Sequence, residues 1–175
     1  MLNPLRRRSW APRGQTPVLK HKARHREKVS TIAALTVSPK RQHLGLYCIS
    51  FLDASIDHVA VAFFLRHLLQ RLRGEIIIIW DRGSMHRGPD IRNVLEANPR
   101  LTLESFPAYA PELNPVEQIW GHLKWSKLNN FAPHDNRELM KLLHQELRKI
   151  RRDQTRLRDF FEASGLKGVK RALAS

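Results

Sequence analysis

Apolar residues recur in two rhythms along this chain, and the rhythm changes mark its elements. Residues 29–37, "VSTIAALTV", and 44–51, "LGLYCISF", are short and rich in β-branched or aromatic side chains. The turn-forming "SPKRQH" separates them, so the pair predicts a β-hairpin. Val61, Phe64, Leu65, Leu68 and Leu72 then recur at helical spacing, with Asp57 as candidate N-cap and Gly74 as stop. Residues 75–80, "EIIIIW", form an unbroken apolar run, which predicts a strand covered on both faces. "PDIRNVLEANP" predicts a short helix that ends before Pro99, and residues 101–106 predict another strand.

After the proline-rich loop "PAYAPELNP", Asn114 is placed to cap a helix with Pro115 in its first turn. Val116, Ile119, Trp120 and Leu123 give that helix its apolar face. A second capping signal, "DNRE" from Asp135 to Glu138, opens a helix to about Arg152, with Leu139, Leu143, Leu147 and Ile150 on one stripe. "LRDFFEASGL" predicts a closing helical turn. The order is α/β: a hairpin followed by crossover units. We divide the chain into a basic arm at residues 1–28, a core at 29–133 and basic C-terminal helices at 134–175 that pack on the core.

Charge narrows the class. The 175 residues hold 31 Lys and Arg against 16 Asp and Glu, a net charge of +15. That balance favours a polyanionic partner, most simply nucleic acid. Nine of the basic residues fall in positions 1–28, where Glu27 is the sole acid. Arg13, Lys20, Lys22, Arg24 and Arg26 are the candidate phosphate contacts there, a solvated arm being the plainer alternative. One cysteine, Cys48, excludes an internal disulfide and a cysteine-based zinc site. No apolar stretch approaches the length of a membrane span, and a cytoplasmic setting fits.

Two acids carry the candidate chemistry. Asp81 follows the 75–80 strand directly, at the end where open α/β sheets gather functional groups. Its alternative role is to form the "DRG" turn. Glu117 is third after Asn114, where a glutamate commonly closes a capping box. Gly121 and Lys124 follow on its face, so the lysine is a candidate phosphate contact. Paired carboxylates suit hard cations such as Mg²⁺, and two ions about 4 Å apart serve phosphodiester chemistry, usually with three carboxylates. Trp80, Trp120 and Trp125 read as packing residues.

"WDRGSMHRG" and "FPAYAPELNPVEQIWGHLKW" resemble the second and third acidic motifs of DDE-type transposases, in the bacterial insertion-sequence branch related to the mariner superfamily. The 35 residues between Asp81 and Glu117 match that group's spacing. "SWAPRGQTPVL" and "LRDFFEASGL" extend the resemblance over nearly the whole chain. It implies an RNase H-like mixed sheet flanked by helices, with Mg²⁺- or Mn²⁺-dependent cleavage and joining of transposon DNA ends by two ions. It assigns Asp81 and Glu117 to catalysis and metal binding, and matches His86 to a family histidine that contacts a phosphate or an outer water, a solvated hydrogen-bond partner being the equal alternative. Asn114 is placed in the same outer layer. Implied partners are DNA and either a second copy or a full-length transposase, in a bacterial, nucleoid-associated setting.

The family pattern also has a first aspartate on a central strand ahead of "WAPRG", and no acid precedes Glu27 here. The resemblance therefore implies an N-terminal truncation, a sheet without its first strand and weak metal binding. Asp53 and Asp57 are the conceivable substitutes, with turn former and N-cap as their simpler roles. The chain reads as a transposase catalytic domain inactive alone; the alternative is a non-catalytic DNA-binding remnant or regulator.

Overall fold

The computed structural model describes residues 13, 28–38, 40, 42–128, 131 and 133–166. Lys20, Lys22, Arg24 and Arg26 lie outside the described residues.

β1 (Val29–Ser38) and β2 (His43–Leu52) form the expected antiparallel hairpin, paired from Val29 with Leu52 to Ser38 with His43. α1 (His58–Arg71) opens at Asp57, whose carboxylate accepts from the Ala60 N–H at 2.9 Å. β3 (Ile76–Trp80) and β4 (Leu101–Ser105) pair in parallel around α2 (Pro89–Glu96), so Trp80 and Ser105 sit side by side at the carboxyl end. α3 (Pro115–His122) starts at Asn114, whose side chain accepts from the Val116 N–H at 3.1 Å. A π-helical turn, Leu123–Lys127, continues it. α4 (Asn136–Arg152) and α5 (Gln154–Ala163) complete the chain of elements.

Among the described residues the strands form two separate two-stranded sheets, β1–β2 and β3–β4, rather than one mixed sheet. Two cores follow from this. Val29, Leu44 and Leu46 of the hairpin bury against Ile119, Leu143, Leu147, Ile150 and Leu157 of α3, α4 and α5. Val61, Leu65, Ile76, Ile91, Val94 and Leu101 form the second core, between α1, α2 and the parallel pair. Between them lies a cavity of about 1530 Å³, walled by residues 31–38 on one side and 75–81 on the other.

Three expectations are corrected. β3 is covered on one face only: Ile77 is 68% exposed and Ile79 54%, with no strand or helix among the described residues over that side. The closing turn is a ten-residue helix, started by Asp153, whose carboxylate accepts from the Arg156 N–H at 2.9 Å. Trp125, expected as a core or partly buried residue, is 56% exposed and lies in the π turn. Asp53 stands in the bend that follows β2, at φ +53°. It accepts from the Lys28 N–H at 3.1 Å and from Asn136 Nδ2 at 2.8 Å, tying the hairpin to α4.

Candidate active site

β3 delivers Asp81 to the carboxyl end of the parallel pair, and the next residues fold back on it. Asp81 Oδ1 accepts from the Gly83 N–H at 2.8 Å and faces His86 Nε2 at 3.1 Å. The turn-forming role is therefore real, but it uses a single oxygen. No described residue bonds Oδ2, and the side chain is 65% exposed. The His86 ring stacks on Trp80, centroids 4.4 Å apart and 21° from parallel. Its Nδ1 is buried without a hydrogen-bond partner among the described residues. The consistent tautomer is neutral, with Nε2–H donating to Asp81 and a bare lone pair at Nδ1. Burial pushes the His86 pKa down, and the Asp81 carboxylate counters this in part. Protonation would add a buried N–H at Nδ1 with nothing to accept it.

Glu117 arrives from the other side, in the first turn of α3. The capping-box role does not form here. The Asn114 N–H donates to the Pro111 carbonyl at 3.0 Å, so the Glu117 carboxylate is not drawn back to the helix end. Glu117 is exposed, with no side-chain hydrogen bond among the described residues. Asn114 caps the helix and presents the same turn to the cavity. α4 gives the contrast: Glu138 does fold back, accepting from the His134 N–H at 2.7 Å while Asp135 accepts from the Glu138 N–H at 2.8 Å.

Asp81, Asn114 and Glu117 line one cavity of about 410 Å³ with Arg82, Phe106 and Tyr109. His86 stands behind Asp81 and lines the adjoining large cavity with Asp81 and Asn114. Lys124 lines neither cavity. Arg13 is exposed and outside the site. Tyr109 is a lining residue that sequence reasoning leaves unassigned. It is fully exposed at φ +58° between Pro107 and Pro111, and the aromatic inside a proline-rich loop was its signal.

The donor set suits a hard cation, since its free ligand atoms are the carboxylate oxygens of Asp81 and Glu117. It is short of a full site: among the described residues no group of three His, Cys, Asp or Glu side chains could hold a metal.

The model of a family described as DDE superfamily endonuclease matches residues 1–141. The chain belongs to that family. Solved structures agree on the fold. The Mos1 mariner paired-end complex with Mn aligns at a TM-score of 0.57 and 18% identity, covering 93% of this chain and 48% of that one. The Mos1 transposase paired-end complex with left transposon end aligns at 0.56 and 15% identity, covering 94% and 48%. The Mos1 strand transfer complex aligns at 0.52 and 19%, covering 94% and 52%. The chain thus has a fold similar to the RNase H-like catalytic domain of Mos1 transposase, and it spans about half the length of those chains. A comparison with curated proteins gave no match. No helix among the described residues is long and apolar enough to cross a membrane.

Proposed function

We propose that this chain is the DNA-processing part of an insertion-sequence transposase, in which Asp81 and Glu117 hold Mg²⁺ or Mn²⁺ against a DNA phosphodiester. The observation that carries this reading is the shared cavity. Two acids 36 positions apart in sequence line one pocket at the carboxyl end of the parallel pair, each with unbonded carboxylate oxygen. When bound, divalent cations would activate an attacking oxygen and stabilise a leaving one, for cleavage by water and joining by a DNA 3′-hydroxyl.

The chain's own residues prepare that chemistry. Gly83 and His86 fix the Asp81 carboxylate by one oxygen and leave the other for a ligand. Asn114 anchors the helix turn that carries Glu117. The charge of +15 draws the DNA backbone to the protein, with Arg13, Lys20, Lys22, Arg24 and Arg26 as its arm.

Two carboxylates position a cation that demands near-octahedral geometry less well than three. The chain by itself is accordingly a weak cation binder that does not cleave DNA, and a third carboxylate has to come from outside the described residues. The high positive charge retained beside an incomplete acid set favours one second reading: a non-catalytic DNA-binding remnant that regulates a full-length transposase, in a bacterial nucleoid, by joining its assembly as a second copy would.

Mn²⁺ titration followed by electron paramagnetic resonance tests the shared site. Asp81→Asn and Glu117→Gln are each expected to weaken binding, and the double variant to add little, because both remove the same ion. Additive losses would separate the two acids into different sites. Mg²⁺-dependent nicking of DNA by the purified chain, abolished in Asp81→Asn, would overturn both its inactivity and the regulator reading.

A further inference from the structure

The loop between β4 and α3 joins the two elements that bear the acids, and it holds a strained, uncovered aromatic. At its start the Phe106 N–H donates to the Trp80 carbonyl at 2.8 Å, which carries the parallel pair on to the residue just before Asp81. At its end the 3₁₀ turn Pro111–Leu113 leads into Asn114, the cap of the helix that carries Glu117. Tyr109 stands between these anchors, fully exposed and at φ +58°. An exposed aromatic by itself needs no explanation. This one sits in a left-handed conformation that glycine or asparagine adopts with less strain, so turn formation alone does not account for a tyrosine.

The surroundings state what the ring can meet. Pro107 and Pro111 fix their own φ and restrict the residues before them, so the loop is stiff. A side chain held out by a stiff loop loses little freedom when a partner covers it. The ring shares the cavity of about 410 Å³ with Asp81, Glu117 and the exposed Arg82. Two carboxylates for a cation, a guanidinium and an aromatic face suit the separate parts of a nucleotide: the phosphate meets the cation and Arg82, and the base meets the ring. The volume is that of a small-ligand site rather than of a stacked duplex. Bases inside a duplex keep their faces covered by their neighbours, so only an unpaired base can lie on the ring.

We propose that Tyr109 is a stacking platform for an unpaired nucleobase of the DNA strand whose phosphate lies at Asp81 and Glu117. It positions substrate and takes no part in bond making or breaking. Every base offers a π face, so the platform selects for the unpaired state and not for sequence. It adds to the affinity for single-stranded or frayed DNA and leaves the affinity for fully paired DNA to the positive charge. The proposal deepens the phosphodiester reading of this cavity and rests on it.

The test uses the full chain with Mn²⁺ and a short oligothymidine carrying one 2-aminopurine, whose fluorescence falls when it stacks. The same strand annealed to its complement is the paired control. The parent and Tyr109→Phe should bind the single strand alike and quench the probe. Tyr109→Leu keeps an apolar side chain without a π face. It should bind the single strand about fivefold or more weakly, lose the quench and keep the parent's affinity for the duplex. Its slope of log affinity against log salt should not change, because no charge is removed. The thermal midpoint of Tyr109→Leu should match the parent's, since the ring is exposed. Equal single-strand affinity in Tyr109→Leu overturns the proposal, as does an equal loss for single strand and duplex. Loss in Tyr109→Phe as well would place the contact at the hydroxyl and overturn stacking. If Tyr109→Leu equals the parent while Asp81→Asn and Glu117→Gln still lose Mn²⁺, the platform fails and the acid pair stands. A parent that binds neither Mn²⁺ nor DNA would overturn both.

Discussion

His86 holds Asp81 from the side: its Nε2 lies 3.1 Å from Asp81 Oδ1 while its ring is stacked on Trp80. The pair is five residues apart in sequence, joined by a 3₁₀ turn, Ser84–His86, that swings the imidazole back over the strand end. Orientation of a carboxylate by a neighbouring donor is worth roughly 10–100-fold in metal affinity where it has been tested in metal sites. His86→Ala is therefore expected to weaken Mn²⁺ binding by about tenfold or more. Unchanged affinity in a folded variant would show that Asp81 needs no such support.

Gly83 tests the same carboxylate through packing. A Cβ at Gly83 would stand 2.8 Å from Asp81 Oδ1, too close for either atom to stay in place. Gly83→Ala should displace Asp81 and break its bond to the residue 83 N–H. The expected result is a loss of Mn²⁺ affinity similar to that of His86→Ala, with the thermal midpoint nearly kept, because the glycine lies outside both cores. Equal loss of affinity and stability would assign Gly83 to folding instead.

Much of this could be read from the chain in advance, for identifiable reasons. Asp57, Asn114 and Asp135 are N-caps, and each acts within three residues, so local sequence specifies them. Asp81 was legible because a β-branched run ended in it. What failed was non-local. The four isoleucines of "EIIIIW" suit a strand buried on both faces, yet burial depends on neighbours that the run itself cannot reveal. Glu117 and Glu138 share the capping-box pattern. They diverge because the Asn114 N–H is taken by Pro111, a contact set by the preceding 3₁₀ turn rather than by the motif.

Acid should destabilise the fold. Burial holds both His86 and His144 below the ordinary value of 6.5, with Arg148 adding to the effect at His144. As pH falls through about 6.5 the unfolded chain takes up protons that the folded chain refuses. The contribution of these two side chains is thus complete above 6.5, and is lost as pH drops from there to their lower folded values. His144 also bonds Ser50 Oγ at 3.0 Å, which joins α4 to β2. Thermal midpoints measured from pH 8 to 5 should fall, and should fall less steeply in His144→Gln. A midpoint that rises on acidification would contradict the neutral assignment.

DNA affinity should be strongly salt-dependent and unselective. Each phosphate neutralised contributes about 0.9 to the slope of log affinity against log salt. Replacing Arg13, Lys20, Lys22, Arg24 and Arg26 by glutamine should lower that slope by up to about 4.5, if all five reach phosphates. The same loss should appear for unrelated duplex sequences. A slope unchanged by the five substitutions would move the DNA contact to the helices of the C-terminal half.

Arg100 closes one end of the second core from a distance. Its guanidinium donates from Nη1 to the Leu72 carbonyl at 3.0 Å and the Gly74 carbonyl at 2.8 Å, and from Nη2 to the Leu69 carbonyl. These groups lie at the carboxyl end of α1, where helix carbonyls lack intrahelical partners and the helix dipole favours a cation. The Ile76 N–H also donates to the Arg100 carbonyl at 2.8 Å, so one residue fixes the end of α1 and the start of β3 together. Arg100→Met keeps most of the apolar stem and removes the three donors. A hydrogen bond to a charged group contributes about 1.5–3 kcal/mol net of exchange with water, and a total loss of about 2 kcal/mol is expected here because water reaches the freed carbonyls of this partly exposed cap. Arg100→Lys should recover only part of it, because an ammonium cannot span three carbonyls as a planar fork does. Urea unfolding of the three proteins measures both differences. Equal stability of the Met and Lys variants with the parent would show that water caps α1 as well as Arg100 does.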